Sequence, residues 1–419
     1  SYLIVRLYSK NIYLKQLRGV EMKKIMLLVF LVGCLLALSS CKSDSASTPD
    51  KESNKDSDTV KIAGIFSSSG GAAPLGEPEL ETLQMLVDEQ NKAGGINGKK
   101  IELITYDDKS DQNEAVLAMK KAVTQDKVTA VIGGTISGNS LAMLPLAEQN
   151  KVPYFSVAAS KQIHRDDNGK ARKWVYKTPQ DDRHAVEKIL GFLKDKGLTK
   201  VAWLNVANSF GTGAHEEFGE IAKDFGIEAV IEDEFEATVK DAKPVLTRVK
   251  KAKPEAIIVW GTVQESAVVV KNIRELAIDL PVLASHGVAS SQFLELTGEA
   301  GNGVVLPAGK LLIAEDLANS NPQKELLLKY KEQYTAKYNK PISTFGAHAW
   351  DAYYMVVKAV EAGNTDSASI RDYIEKDMGE FVGLTGVFNI DKENHNGLTA
   401  DSFAMVKIVD GKWTLEEKE

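Results

Sequence analysis

Short runs of β-branched and aromatic residues alternate with helix-spaced apolar residues along the first part of the chain. The strand-like runs are VKIAGIF (60–66), KIELITYDD (100–108), VTAVIGG (128–134) and VPYFSV (152–157). Between them, segments 77–93, 111–126 and 138–150 repeat their apolar residues at helical spacing. This rhythm predicts a parallel sheet with helices on both faces.

The same alternation restarts at Lys200. Its strand-like runs are KVAWLNVA (200–207), IEAVIEDEF (227–235), EAIIVWG (255–261) and PVLAS (281–285). The turn Gly134-Thr135-Ile136 of the first series corresponds to Gly261-Thr262-Val263 of the second, and a proline opens the next strand in each. Several matches in order predict an α/β protein of two similar, Rossmann-like lobes.

Glycines and hydroxyls follow the third strand, in VIGGTISGNS (131–140). Glycine lets a backbone approach a ligand, and free N–H groups at a helix start suit an anion. No Gly-Lys-Ser/Thr follows, which argues against a phosphate loop, and Ser137 lies in GTISG rather than in a nucleophile elbow. Two interpretations remain: a loop that holds a carboxylate or amide, and a structural loop with incidental serines.

Three more candidate residues follow predicted strand ends, where open parallel sheets bind ligands. Ser160 offers a second hydroxyl or caps a helix, Phe210 covers an apolar ligand or packs in the core, and His286 contacts a ligand or is structural. Two facing lobes would place GGTISGNS and WGTVQES on opposite walls of one cleft. The histidines show no zinc spacing, so we expect no metal site.

The N-terminal region has the features of an export signal. Residues 22–40 read MKKIMLLVFLVGCLLALSS, with two lysines before an apolar stretch too short to span a bilayer. The ending LSSC resembles the lipobox of bacterial lipoproteins, which predicts lipidation at Cys41; LVGC, ending at Cys34, fits the pattern but is followed by apolar residues. Residues 41–58 are expected to form a disordered polar tether, and residues 1–21 to be a wrongly joined upstream extension.

From about Val60 to Val409 the chain resembles the type 1 periplasmic binding proteins, specifically the branched-chain amino-acid-binding components of ABC importers. The segments that carry the resemblance are KIAGIFSSSGGAAPLG, NKAGGINGKKIELITYDDKSD, AVIGGTISG, VPYFSVAAS, TPQDD, NSFGTG and HGVASSQF. The resemblance implies a three-strand hinge between an N-terminal lobe (59–179 plus 308–400) and a C-terminal lobe (180–307 plus 401–419).

The resemblance also implies which residues hold the α-groups of the ligand. Matching positions are Ser137, Ala158, Ser160 and the interlobe Asp181, while Phe210 replaces a tyrosine and His286 replaces the acid that pairs with the α-ammonium. Either Asp181 or another acid then takes that role, or the ligand has no ammonium. An aliphatic or aromatic carboxylate would suit Leu75, Phe210, Trp260 and a histidine donor. If an amino acid does meet a histidine of ordinary pKa, binding should weaken below pH ~6.5.

These observations predict a lipid-anchored, extracytoplasmic solute-binding protein of an ABC importer rather than an enzyme. Its cleft would close on a small carboxylate, by resemblance a branched-chain or other hydrophobic amino acid; a carboxylic acid or amide without an ammonium is the alternative ligand. A ligand-sensing lipoprotein for a membrane receptor is the alternative role. We expect a monomer without cofactor that works with permease subunits, and the net charge of −7 argues against nucleic acid as a partner.

Overall fold

The computed structural model describes residues 59–416. The predicted upstream extension, signal segment, tether and lipidation site at Cys41 lie outside the described residues. Within them, two β-sheets flanked by helices form one compact unit. We call the five-stranded sheet with its helices the first lobe, and the seven-stranded sheet with its helices the second lobe.

The sheet of the first lobe is entirely parallel, in the order β2-β1-β3-β4-β5. Its strands are buried between helices, which explains why they appear as continuous apolar runs. In register, Ile62 lies beside Leu103 of β2 and Ala130 of β3. The strands are β1 (Thr59–Phe66), β2 (Lys100–Asp107), β3 (Ala130–Gly133), β4 (Tyr154–Ser156) and β5 (Val175–Lys177). The connecting helices are α1 (Ala73–Lys92), α2 (Gln112–Lys121) with a π-helical turn (Ala122–Asp126), and α3 (Ser137–Asn150).

The sheet of the second lobe has the order β14-β13-β10-β9-β8-β6-β7, and only the β10–β13 and β13–β14 pairs are antiparallel. The strands are β6 (Lys200–Val206), β7 (Glu228–Phe235), β8 (Ala256–Trp260), β9 (Val282–Ala284), β10 (Val305–Gly309), β13 (Phe403–Val409) and β14 (Lys412–Leu415). The helices are α4 (Asp182–Asp195), α5 (Ser209–Ile221), α6 (Lys243–Ala252), α7 (Val263–Glu275) and α8 (Ser291–Thr297).

After β10 the chain returns to the first lobe. There it forms α9 (Lys324–Tyr338), α10 (Thr344–Glu361), α11 (Ser367–Lys376) and the hairpin of β11 (Glu380–Val382) and β12 (Val387–Asn389). The Tyr330 and Thr82 hydroxyls, 2.7 Å apart, join α9 to α1. The chain therefore passes between the lobes three times, at residues 178–181, 310–323 and 390–402.

The predicted fold class is confirmed. All eight strands expected from the sequence are present, and each begins and ends within two residues of its expected bounds. Four strands of the two sheets, β5, β10, β13 and β14, were not anticipated. Between residues 59 and 416, no helix is both long and apolar enough to cross a membrane.

Candidate functional site

A cavity of about 330 Å³ lies between the C-terminal ends of the two sheets. The loops that follow β1 to β4 line it from the first lobe, and those that follow β6 to β9 line it from the second. Thr135 and Thr262, from the two turns matched by sequence, both reach it. This confirms that GGTISGNS and WGTVQES form opposite walls of one cleft.

The first wall contains the start of a helix whose N–H groups are free. Ile136, Ser137 and Gly138 line the cavity where α3 begins, and no side chain caps this helix. The first N–H groups of a helix have no partner within it, and the helix dipole adds partial positive charge there. This wall therefore favours an anionic group.

Ser137 is oriented by its neighbour Ser160. The Ser160 backbone N–H donates to the Ser137 hydroxyl oxygen at 3.3 Å, which leaves the hydroxyl hydrogen free to be donated. Ser137 lines the cavity, whereas the Ser160 side chain does not. Ser160 thus acts on the site through its backbone.

Removal of the Ser137 hydroxyl is expected to weaken ligand binding. Ser137→Ala should cost about 1.5–3 kcal/mol, roughly 10- to 150-fold in Kd, as for a hydrogen bond to a charged group. Isothermal titration calorimetry with the tightest-binding ligand would measure it. Ser291→Ala, at a helix start outside the cavity, is the control. An effect below twofold for Ser137→Ala would make this loop structural.

The second wall differs because its helix starts are already capped. The Asn208 side chain accepts hydrogen bonds from the N–H groups of Phe210 (3.0 Å) and Gly211 (3.2 Å) at the start of α5. At the start of α7, the backbone N–H and hydroxyl of Thr262 donate to Glu265 Oε1, at 2.5 and 2.8 Å. These N–H groups are therefore not available to an anion.

Glu265 brings a carboxylate to the cavity that we did not anticipate from the sequence. It lies in WGTVQES, three residues after Thr262, and the T-x-x-E pattern of a capping box was the available signal. No lysine or arginine lines the cavity among the described residues. The second wall is therefore the acidic side of the cleft.

Two histidines face the cavity, one from each lobe. Burial lowers the pKa of His286 to about 3, with a further contribution from Lys177. Burial, with His286 and Lys177, likewise lowers the pKa of His348 to about 3. Both imidazoles are thus uncharged near neutral pH. His348 was not anticipated, since it lies in the almost fully buried helix α10 with no motif around it.

The lowered pKa of His286 changes the expected pH dependence of ligand binding. Protonation of His286 would repel a ligand ammonium, but it occurs only as the pH approaches 3 rather than 6.5. We therefore expect the Kd for an amino acid to change by less than about threefold between pH 5 and 8. Calorimetric titrations across that range would check it, and a tenfold loss between pH 7 and 5.5 would contradict it.

The remaining sequence candidates are divided between the cavity and its surroundings. Leu75, Ala158 and Phe210 line the cavity, as Ser137 and His286 do. Trp260 does not line it: it is fully buried, and its ring centroid lies 5.6 Å from that of Phe210 and 5.7 Å from that of His286. Trp260 therefore supports the second wall from inside the lobe.

Asp181 also lies outside the cavity lining. Its carboxylate is 2.8 Å from Lys177 Nζ and 3.1 Å from His164 Nε2. Burial alone would raise the pKa of Asp181, but Lys177 and His164 hold it well below its usual range. The carboxylate is therefore occupied by an internal ion pair in the first segment that crosses between the lobes.

A family comparison matches residues 59–412 to the periplasmic binding proteins. The chain belongs to this family. The resemblance drawn from the sequence is thereby confirmed, and the chain has the solute-binding role of the family, whose members are not enzymes. Among the described residues, no group of three or more His, Cys, Asp or Glu side chains is placed to hold a metal ion.

Three proteins with named ligands are similar to this chain. The chain is 23% identical over 338 residues, covering 80% of it and 87% of the relative, to the leucine-, isoleucine-, valine-, threonine- and alanine-binding protein of Pseudomonas aeruginosa. It is 28% identical to Streptococcus pneumoniae LivJ, solved with isoleucine, with a TM-score of 0.74 over 85% of this chain and 97% of that one. A Rhodopseudomonas palustris solute-binding protein solved with 3,4-dihydroxybenzoic acid has the same fold, at 23% identity and a TM-score of 0.71 over 85% and 95% of the two chains.

Proposed function

We propose that this protein captures a small zwitterionic amino acid, branched-chain amino acids being the first candidates, for an ABC importer. The observation that supports this most directly is the division of charge across the cleft. The first wall presents the uncapped start of α3, whereas the second presents the carboxylate of Glu265 and capped helices. A zwitterion matches both walls at once.

The α-carboxylate of the ligand would lie on the first wall. There the Ser137 hydroxyl and the free N–H groups at the start of α3 are its donors. Hydrogen bonds to a charged acceptor are roughly twice as strong as neutral ones. This end of the site is therefore expected to contribute a large share of the affinity.

The α-ammonium would lie on the second wall and face Glu265. Glu265 would then pair with the ammonium in place of the acid that the family resemblance implies at position 286. Asp181 is not available for this role, because its carboxylate already pairs with Lys177 and His164. A buried ammonium without an anionic partner costs several kcal/mol, so one carboxylate within reach decides whether an amino acid binds.

The hydrocarbon part of the ligand would lie against the apolar side chains of the cavity, Leu75, Val157, Phe210 and Phe345. The ligands named for the Pseudomonas aeruginosa and Streptococcus pneumoniae relatives agree with such a lining. The uncharged His286 favours a second candidate, a carboxylic acid without an ammonium, for which the Rhodopseudomonas palustris structure is a precedent.

Closure of the cleft would be stabilised by contacts at its rim. Lys161 of the first lobe is 3.0 Å from Glu217 of α5, and Gln162 Nε2 donates to Glu216 at 3.3 Å. Within the second lobe, Arg183 of α4 holds the same Glu217 in place, at 3.0 Å. The Lys161–Glu217 and Gln162–Glu216 contacts join the two lobes beside the cavity, as expected of a site that traps its ligand by hinge closure.

A thermal-shift screen tests the proposed ligand class. L-Leucine, L-valine, L-isoleucine and L-threonine would be compared with 4-methylpentanoate and 3,4-dihydroxybenzoate. A ligand at 100 times its Kd adds about 2.7 kcal/mol to the free energy of unfolding. Stabilisation by amino acids alone supports the proposal, and stabilisation by the amine-free acids alone refutes it.

We also propose that the chain is attached to the outer side of the cell membrane through a lipidated Cys41, by the lipobox LSSC. Mass spectrometry of the N-terminal peptide from cells would show a lipid-modified cysteine at its start. An unmodified Cys41 inside a longer chain would refute the anchor. Permease and ATPase genes beside the coding sequence would favour an importer subunit over a sensor.

A further inference from the structure

His286 is a buried imidazole at the cavity whose two ring nitrogens have no hydrogen-bond partner among the described residues. Its exposed fraction is 7%. The rings of Phe210, Trp260 and Phe403 enclose it, with centroids 5.7, 5.7 and 5.4 Å away. The Asp182 carboxylate lies 3.9 Å from Nε2, which is beyond hydrogen-bond range. The protein thus leaves His286 unpaired at the ligand site.

An uncharged imidazole has one N–H donor and one acceptor lone pair. If a bound ligand shields the cavity from water and hydrogen-bonds to neither ring nitrogen, its affinity is lowered by the cost of leaving buried polar groups unsatisfied. His348, the other imidazole at the cavity, differs because its Nδ1 lies 2.8 Å from the Thr385 hydroxyl. The unmet hydrogen-bonding capacity is therefore concentrated at His286.

The α-groups of an amino acid do not satisfy His286 completely. An ammonium can donate to the lone pair, but it offers no acceptor for the ring N–H. The α-carboxylate is an acceptor, but its donors lie on the opposite wall, at Ser137 and the start of α3. The Asp182 carboxylate, whose oxygens also lack a partner, is too far from Nε2 for a direct hydrogen bond at 3.9 Å. A side-chain oxygen of the ligand can supply the acceptor within the cavity.

We propose that the ligand side chain carries an uncharged hydroxyl or amide that hydrogen-bonds to His286, so that the protein prefers such amino acids to isosteric aliphatic ones. This inference rests on the proposed function and narrows it, from small zwitterionic amino acids in general to those whose side chain carries a neutral polar group. His286 is then the residue that determines side-chain specificity.

Matched ligand pairs test this inference on the purified full-length protein. Isothermal titration calorimetry would compare L-threonine with L-valine and L-asparagine with L-leucine, pairs of similar shape. We expect the polar member to bind at least about tenfold more tightly in each pair. His286→Phe keeps an aromatic ring but no hydrogen-bonding nitrogen, and should reduce both ratios to within about threefold.

Two further variants test whether hydrogen bonding by residue 286, rather than any loss of a histidine, sets the ligand preference. His286→Gln restores a donor and an acceptor and should retain the polar preference. His215→Phe changes a partly exposed histidine outside the cavity and should leave both ratios unchanged. Thermal melts would establish that each variant is folded.

The outcomes are distinguishable. If none of the four amino acids binds, the proposed function itself is refuted. If they bind and the wild-type protein favours valine or leucine, or shows no preference, only the side-chain inference is overturned; this comparison needs no variant and so does not depend on the folding of His286→Phe. A polar preference that survives in folded His286→Phe overturns the assignment to His286.

Discussion

Replacement of Glu265 by glutamine is expected to lower the affinity for an amino acid by about a hundredfold. Glutamine has the same shape and still accepts hydrogen bonds from Thr262 through its amide oxygen, so the capped start of α7 is preserved. The negative charge opposite the ligand ammonium is lost. Truncation of one partner of a buried charge pair costs about 2–5 kcal/mol, and the conserved shape places this variant toward the lower end.

The ligand without its ammonium provides the control for this prediction. For 4-methylpentanoate, which lacks the amine of leucine, Glu265→Gln should leave the Kd unchanged or lower it, because a carboxylate near the ligand is removed. Glu275→Gln, at the opposite end of α7 and outside the cavity, serves as the matched control variant. A change below threefold in the Kd for leucine would show that Glu265 only caps its helix.

A large loss of stability is expected for Gly133→Ala. Gly133 ends β3 at φ +144°, and a Cβ there would lie 1.9 Å from the carbonyl oxygen of Ile65 on the adjacent strand β1. A main-chain atom in a central strand cannot move aside without disturbing the sheet. The variant should lower the free energy of unfolding by more than about 3 kcal/mol, and the loop that carries Ser137 should be displaced.

Urea denaturation would measure this effect against a second glycine. Gly219 lies inside α5, and a Cβ there meets no atom within 4 Å. Gly219→Ala should therefore raise the free energy of unfolding by up to about 1 kcal/mol through helix propensity. Equal effects of the two alanine substitutions would contradict the geometry of the β3 end.

The fold could be predicted where strand and helix patterns were long and alternated. The strands that sequence reasoning missed have identifiable causes. β5 has three residues, too few to show a pattern. β10 contains Pro307, which pairs with Met405 inside the sheet, and an internal proline argues against a strand. β13 and β14 return to the second sheet from far along the chain, and no local pattern records such a return.

The candidate site could be predicted as a set of loops, because parallel strands place their C-terminal ends together. The sequence did not indicate which side chains of those loops face the cavity. Trp260 ends a strand, but its ring stacks on Trp203 inside the lobe and lies at an angle beside Phe210. Asp181 has the expected position, but Lys177, four residues earlier, pairs with it. Such contacts depend on side-chain direction, which residue spacing does not specify.

The first wall binds largely through main-chain groups and the second through side chains, and this difference affects how ligand specificity can change during evolution. The first wall relies largely on main-chain N–H groups and small residues, which include Ser137, Gly138 and Ala158. Main-chain groups persist whatever side chain replaces the present one. Glu265 and His286, in contrast, contribute through side chains that one base change in a codon can exchange. Shifts in nutrient range during evolution should therefore accumulate on the second wall, while the first continues to recognise the carboxylate that amino acids share with other carboxylic acids.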